Sequence, residues 1–182
     1  MLSNSMRNLI SAILSCILAL YILNGCEKIR QLPPEPLIEF RQFTMYDTVD
    51  ILGNPAKAGL LEFYFEDGDG DLGIDESGDN EPELDTANLF FTLYEKIDGE
   101  FVEVDDSDPN EPADYRIPYL EREGQNKTLS GTVEITFLYF FYEPDDTIKY
   151  DFFVKDRAGN ESNIDSTCEI PFSLDGVCVP DK

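Results

Sequence analysis

The run Asp67-Gly68-Asp69-Gly70-Asp71-Leu72-Gly73-Ile74-Asp75 places carboxylates at alternate positions with glycines between them. Glycine lets a backbone fold tightly enough to turn such carboxylates toward one point, where they suit a hard cation. Ca2+ takes roughly six to eight oxygens, which a loop of this kind can begin to supply. The first five residues match the opening of an EF-hand loop, and then the match fails. Leu72 stands where the template needs glycine, and Gly78 stands where it needs the bidentate glutamate. The expected site is therefore a Ca2+ loop between strands, with Asp67, Asp69, Asp71 and Asp75 as ligands. Glu76 or a distant acid such as Asp156 would complete it. The competing reading is a solvated Asp-Gly turn. The further acidic runs, Asp105 to Asp108 and Asp75 to Asp85, read as exposed loops.

Other chemistry is thinly represented. The chain has no histidine, which removes histidine triads, histidine general acids and histidine metal ligands. A carboxylate-pair hydrolase needs only two acids, but among 38 acidic residues no pair stands out. The chain is therefore expected not to be an enzyme. Cys168 and Cys178, an even pair in a chain expected to be exported, predict a disulfide. Asp175-Gly176 also reads as a two-residue hairpin turn, which would set Cys178 opposite Ser173. Either the bridge closes a wider loop or the two thiols face elsewhere.

The elements that must position these residues are strands. Polar and apolar residues alternate over Leu37 to Met45, Leu61 to Phe65, Asn88 to Ile97 and Glu100 to Val104. They alternate again over Leu129 to Tyr142, Ile148 to Lys155, Ile164 to Phe172 and Val177 to Val179. Asp98-Gly99 is the strongest hairpin signal. Arg116 to Leu120 predicts a short edge strand, since Pro118 lacks a ladder donor. Phe137 to Tyr142 carries rings on both faces, one expected in the core and the other covered by a loop, a subunit or a ligand. No segment after residue 26 sustains a helical period. The expected fold is all-β, an antiparallel immunoglobulin-like β-sandwich of seven to nine strands, with a closed barrel as its competitor.

The N-terminus differs in kind. Leu9 to Leu23 is almost wholly apolar, and Arg7 is the only charge before it. That pattern predicts a secretory signal helix, too short for an ordinary membrane span of about 20 residues. The segment ends Leu23-Asn24-Gly25-Cys26, which resembles the lipobox of bacterial lipoproteins. The resemblance implies cleavage before Cys26 and acylation of that cysteine, with a membrane anchor through the lipid. The expected organisation is a signal peptide over 1–25, a lipidated cysteine and Pro-rich tether over 26–36, and a β-sandwich domain over 37–182. Without residues 1–25 the chain keeps 12 basic and 38 acidic side chains, a formal charge of −26. So negative a surface repels phosphate backbones and anionic lipid heads, so no nucleic-acid partner is expected.

Tyr150 to Ser162, YDFFVKDRAGNES, resembles the last hairpin of bacterial immunoglobulin-like and fibronectin-III-like domains. More widely, the order FEDGDGDLGI, a DG hairpin, RIPYL and KDRAGNESN is similar to small cell-envelope lipoproteins of Bacteroidetes-type bacteria. That likeness implies an outer-membrane lipoprotein. Glu27 to Arg30 lack the acidic run that resembles a surface-export signal in such lipoproteins, so the resemblance implies the periplasmic face, with surface exposure as the alternative. The likeness also implies O-glycans at motifs such as Asp47-Thr48-Val49, Asp85-Thr86-Ala87, Asp146-Thr147-Ile148 and Asp165-Ser166-Thr167. It carries no known activity. The function expected is a non-catalytic binding or scaffolding module for an envelope protein or glycan, with a purely structural envelope component and then a carboxylate-dependent hydrolase as the alternatives.

Overall fold

The computed structural model describes residues 32–74, 87–105, 107–108, 112–120 and 127–180. The apolar run, Cys26 and Asp75 lie outside these residues. Among those described, no helix is long and apolar enough to cross a membrane.

Among the described residues, nine strands form two antiparallel sheets. β1 (Leu37–Val49), β2 (Pro55–Asp67), β5 (Leu129–Tyr139) and β9 (Gly176–Cys178) make the first, in the order β5-β2-β1-β9. β3 (Leu89–Ile97), β4 (Glu100–Glu103), β6 (Thr147–Val154) and β7 (Asp165–Ser166) make the second, in the order β4-β3-β6-β7. β8 (Ile170–Pro171) also pairs with β6.

The period-two pattern explains the packing. Phe43, Leu61, Phe63, Phe65, Ile135 and Phe137 point inward from the first sheet, and Phe91, Leu93, Tyr150, Phe152 and Val154 from the second; all are buried. Rings meet across the gap: Phe63 and Phe152 lie 5.2 Å apart, and Phe137 and Tyr150 lie 5.1 Å apart and nearly parallel. Each such ring contact adds about 0.5–1.5 kcal/mol beyond the area it buries. Gly59 exists for this core, because a Cβ there would press into the Phe43 ring.

Four expectations are corrected. β1 and β2 are longer than the alternation suggested and form one hairpin, closed at Asp50 to Asn54. Arg116 to Leu120 is not a strand. It makes an isolated bridge from Pro118 to Ile74, and single N–H bonds replace the ladder that proline interrupts. Ile164 to Phe172 is two short strands, β7 and β8, rather than one. Finally, β9 does not fold back on β8. It crosses to the first sheet and pairs with β1 at Phe43, Thr44 and Met45.

The crossing removes the geometric objection to a disulfide. Cys168 lies between β7 and β8 in the second sheet, and Cys178 lies in β9 in the first. Their Cα atoms are 6.3 Å apart and the two are bonded. The bridge therefore ties the two sheets together. Nearby, side chains stitch the same seam. Asn163 gives and takes a bond with the Ile38 backbone, at 3.0 and 2.9 Å, and Phe40 N–H donates to the Asp165 carboxylate at 2.6 Å.

Candidate metal centre

The acidic loop begins where β2 ends. The inward positions of β2 continue through Leu61, Phe63 and Phe65 to Asp67, so this carboxylate occupies a core position and is wholly buried. Burial alone would be costly, and the loop offsets it with backbone donors. Gly70 N–H and Leu72 N–H donate to the two Asp67 oxygens, at 3.0 and 2.7 Å. Leu72 is itself fully buried. The residue that breaks the EF-hand template is thus a core anchor that pulls the loop back onto the sandwich.

The turn this requires uses glycine. Gly70 and Gly73 have φ of 66° and 97°, in the region that disfavours side chains. Gly68 is needed for a different reason. Its N–H donates to Pro33 O at 3.1 Å, and a Cβ would collide with the backbone of Leu32 and Pro33. The start of the described chain is therefore pinned to the acidic loop.

Asp67, Asp69 and Asp71 each present an oxygen within 4.8 Å of the others. Among the described residues, three of the four expected ligands are brought together. Burial raises the Asp67 carboxyl above its ordinary value, against the Leu72 and Gly70 N–H bonds, and Asp69 pushes it further up. Burial also raises Asp71, followed by the negative charges of Asp156 and Asp67, with Arg157 opposing. Carboxylates crowded in this way have two means of relief, a proton or a cation.

A second loop, which follows β6, supports the first. Asp156 is buried and closes its own turn: Asn160 N–H and Nδ2 donate to its carboxylate at 2.7 and 2.8 Å. Arg157 reaches back to donate to Gly73 O at 2.9 Å, and its guanidinium lies 5.0 Å from the Tyr119 ring centre. Ile74 is held between Ile117 and Tyr119 by N–H bonds of 3.1 and 3.0 Å. Asp156 is near enough to Asp71 to raise it, accepts one bond from Asn160 on each oxygen, and is not among the three acids whose oxygens converge. Its role in the structure is to brace the acidic loop.

Several residues that matter here carried no sequence signal. Buried Asn88 bonds both ways with the Ile117 backbone and fixes the 115–119 segment. At the far end Lys57 faces inward and pairs with Asp47 at 3.0 Å and with Asp175. A signal did exist for the Asp156 turn, because Asp50-Ile51-Leu52-Gly53-Asn54 and Asp156-Arg157-Ala158-Gly159-Asn160 share one pattern. Of the Asp-(Ser/Thr) motifs, Ser166 donates its hydroxyl to Asp151 at 2.6 Å, and Asp85-Thr86 lies outside the described residues. No family model matches the chain, and no curated protein and no solved structure shows significant similarity to it.

Proposed function

We propose that this chain is a lipid-anchored cell-envelope lipoprotein whose immunoglobulin-like or fibronectin-III-like sandwich serves as a non-catalytic binding or scaffolding module. Its acidic loop is a Ca2+ site that stiffens the end of the sandwich at which the described chain begins. In this reading Cys26 carries the lipid, the Pro-rich tether spaces the domain from an outer membrane, and the module faces the periplasm. The strand order supports the fold assignment. Taken as A, B, C, C′, E, F and G, strands β1 to β7 give sheets E-B-A and C′-C-F-G, and β9 is an addition beside A.

The observation that carries the Ca2+ assignment is the convergence of Asp67, Asp69 and Asp71 around a wholly buried carboxylate. The direction of β1 supports presentation. The strand starts beside the acidic loop and runs 13 residues to a hairpin tip about 40 Å away. That tip is apolar and open: Ile51 is 100% exposed and Leu52 81%.

Thermal melting of a soluble form spanning residues 27–182, in Ca2+ and in chelator, tests the metal site. A ligand that binds only the folded state raises stability by about 2.7 kcal/mol at a hundred times its Kd. A saturable rise in midpoint, lost on Asp69→Ala, is expected. An unchanged midpoint would return the loop to a solvated turn.

A further inference from the structure

Strands at the edges of these sheets are short, with one exception. The first sheet ends in β9, of three residues; the second ends in β4, of four, and in β7, of two. β5 is an edge strand of 11 residues. No backbone bond to its open side occurs among the described residues. Proteins guard such edges with proline, lysine or bulges, because a row of unpaired N–H and C=O groups is a template for another strand. β5 has no proline, no lysine and one charge, Glu134. Its register with β2 is continuous from Leu129↔Asp67 to Tyr139↔Lys57.

The outer face beside this edge is divided. Near the acidic loop it is polar and internally paired: Arg41 bonds Glu39 at 2.9 Å, Gln42 bonds Glu62 at 3.0 Å and Tyr64 bonds Glu66 at 3.0 Å. Toward the hairpin tip it is apolar. Tyr46, Ala58 and Leu138 form one row across three strands, and Phe140 follows. Leu138 and Phe140 are half exposed, while Ala58 forms the buried floor between its larger neighbours. The chain flanking this half is acidic: Asp47 and Asp50 at the end of β1 and Glu143, Asp145 and Asp146 after β5, with Glu134 at its border opposite Glu62. Lys57, on the facing stretch of β2, is buried and paired with Asp47 and Asp175.

We infer that the distal half of β5 is a strand-addition site for an extended, basic segment of another protein. Backbone bonds to the free edge supply affinity, and alternate apolar side chains of the incoming strand pack beside Leu138 and Phe140. Its lysines or arginines answer the acidic surround, which also rejects a second copy of this chain and an anionic membrane. The inference rests on the binding-module reading and names its partner class.

The test places a benzophenone side chain in the full-length chain in its native cells, at Leu138, Phe140, Glu39 or Tyr119 in turn, and sequences the cross-linked peptides. Expected is an adduct from Leu138 and Phe140 but not from Glu39. Its peptide should alternate apolar and polar residues, carry net positive charge and belong to another protein. Thr136→Lys, an exposed change on the same strand, should leave the melting midpoint unaltered and lower adduct yield about tenfold through like-charge repulsion. Adducts with this same chain, with lipid, or with a neutral or acidic segment overturn the inference. So does an adduct at Leu138 or Phe140 that Thr136→Lys leaves unchanged. Adducts from Tyr119 alone overturn the β5 assignment and leave the binding-module reading standing. No adduct at any position counts against both.

Discussion

Asp156 and Asn160 close a five-residue turn by three bonds: Asn160 N–H and Nδ2 reach the Asp156 carboxylate at 2.7 and 2.8 Å, and Asp156 N–H returns to Asn160 O at 3.0 Å. Asp50 and Asn54 do the same at the opposite end, at 2.8, 2.9 and 2.9 Å. Both turns set a glycine at positive φ before the asparagine, Gly53 at 85° and Gly159 at 91°. The fourth position must turn left-handed so that the asparagine amide can face the aspartate.

The two turns should differ in consequence. Asp156 is buried and its loop carries Arg157 to the acidic loop, whereas the Asp50 turn stands in solvent. Asn160→Ala removes the Nδ2 donor from a buried carboxylate, the backbone N–H bond remaining, and should cost about 1–3 kcal/mol by denaturant melts. Asn54→Ala should cost clearly less. Equal losses would mean that the Asp156 turn braces nothing.

The acidic loop should give the metal-free protein an unusual pH profile. Asp67 and Asp71 are both raised, chiefly by burial, so the folded state holds its protons more tightly than the unfolded state. Stability of the metal-free chain should therefore fall as pH rises from the ordinary carboxylate range through the raised values. Ca2+ should remove that fall, and its affinity should rise over the same window as the ligands lose their protons. Melting midpoints in chelator and in Ca2+ between pH 4 and 7.5 check both signs, those bounds being roughly the carboxylate range and neutrality. Parallel profiles would sink the idea.

How much of this was legible depends on range. The Asp98-Gly99 hairpin was readable because a local pattern dictates it, and Asp98 indeed takes φ of 51°. Asp67, Asp69 and Asp71 were readable as a cluster because the glycines lie between them. That Asp67 sits in a core position was harder to read: it shares the parity of Leu61, Phe63 and Phe65, but an Asp-Gly run has loop composition, and the Gly70 and Leu72 donors that offset its burial exist only once the loop folds back. The crossing of β9 was hidden for a related reason. Asp175-Gly176 has turn composition, yet the partner of β9 is Phe43, over 130 residues earlier. Lys57 carries no local signal of its ion pairs, because Asp175 lies 118 residues away and reaches it only through the fold.

Lys57 gives a prediction at the alkaline end. Its ammonium is raised, first by the hydrogen bond to Asp175 and then by Asp47, against its burial. The stability it contributes is complete below the ordinary lysine range and lost as pH rises through the raised value. Lys57→Met keeps the packing of the stem and removes the charge. The variant should melt earlier at neutral pH and converge with the parent chain at strongly alkaline pH. A constant gap would assign the effect to packing alone.

The disulfide should matter more than its short span suggests. Cys168 and Cys178 are 10 residues apart, a loop whose closure is worth about 3 kcal/mol in the chain-entropy account. The bridge also holds β9 against β1 and so covers Phe43 and Met45, which are both buried. Cys168→Ser with Cys178→Ser should lower the melting midpoint and expose residues 172–180 to hydrogen exchange ahead of the rest. The Lys57–Asp175 pair should loosen with them, because Asp175 rides on the same crossing segment. If exchange at 172–180 stays as slow as in β2, the ladder with β1 holds the segment without the bridge.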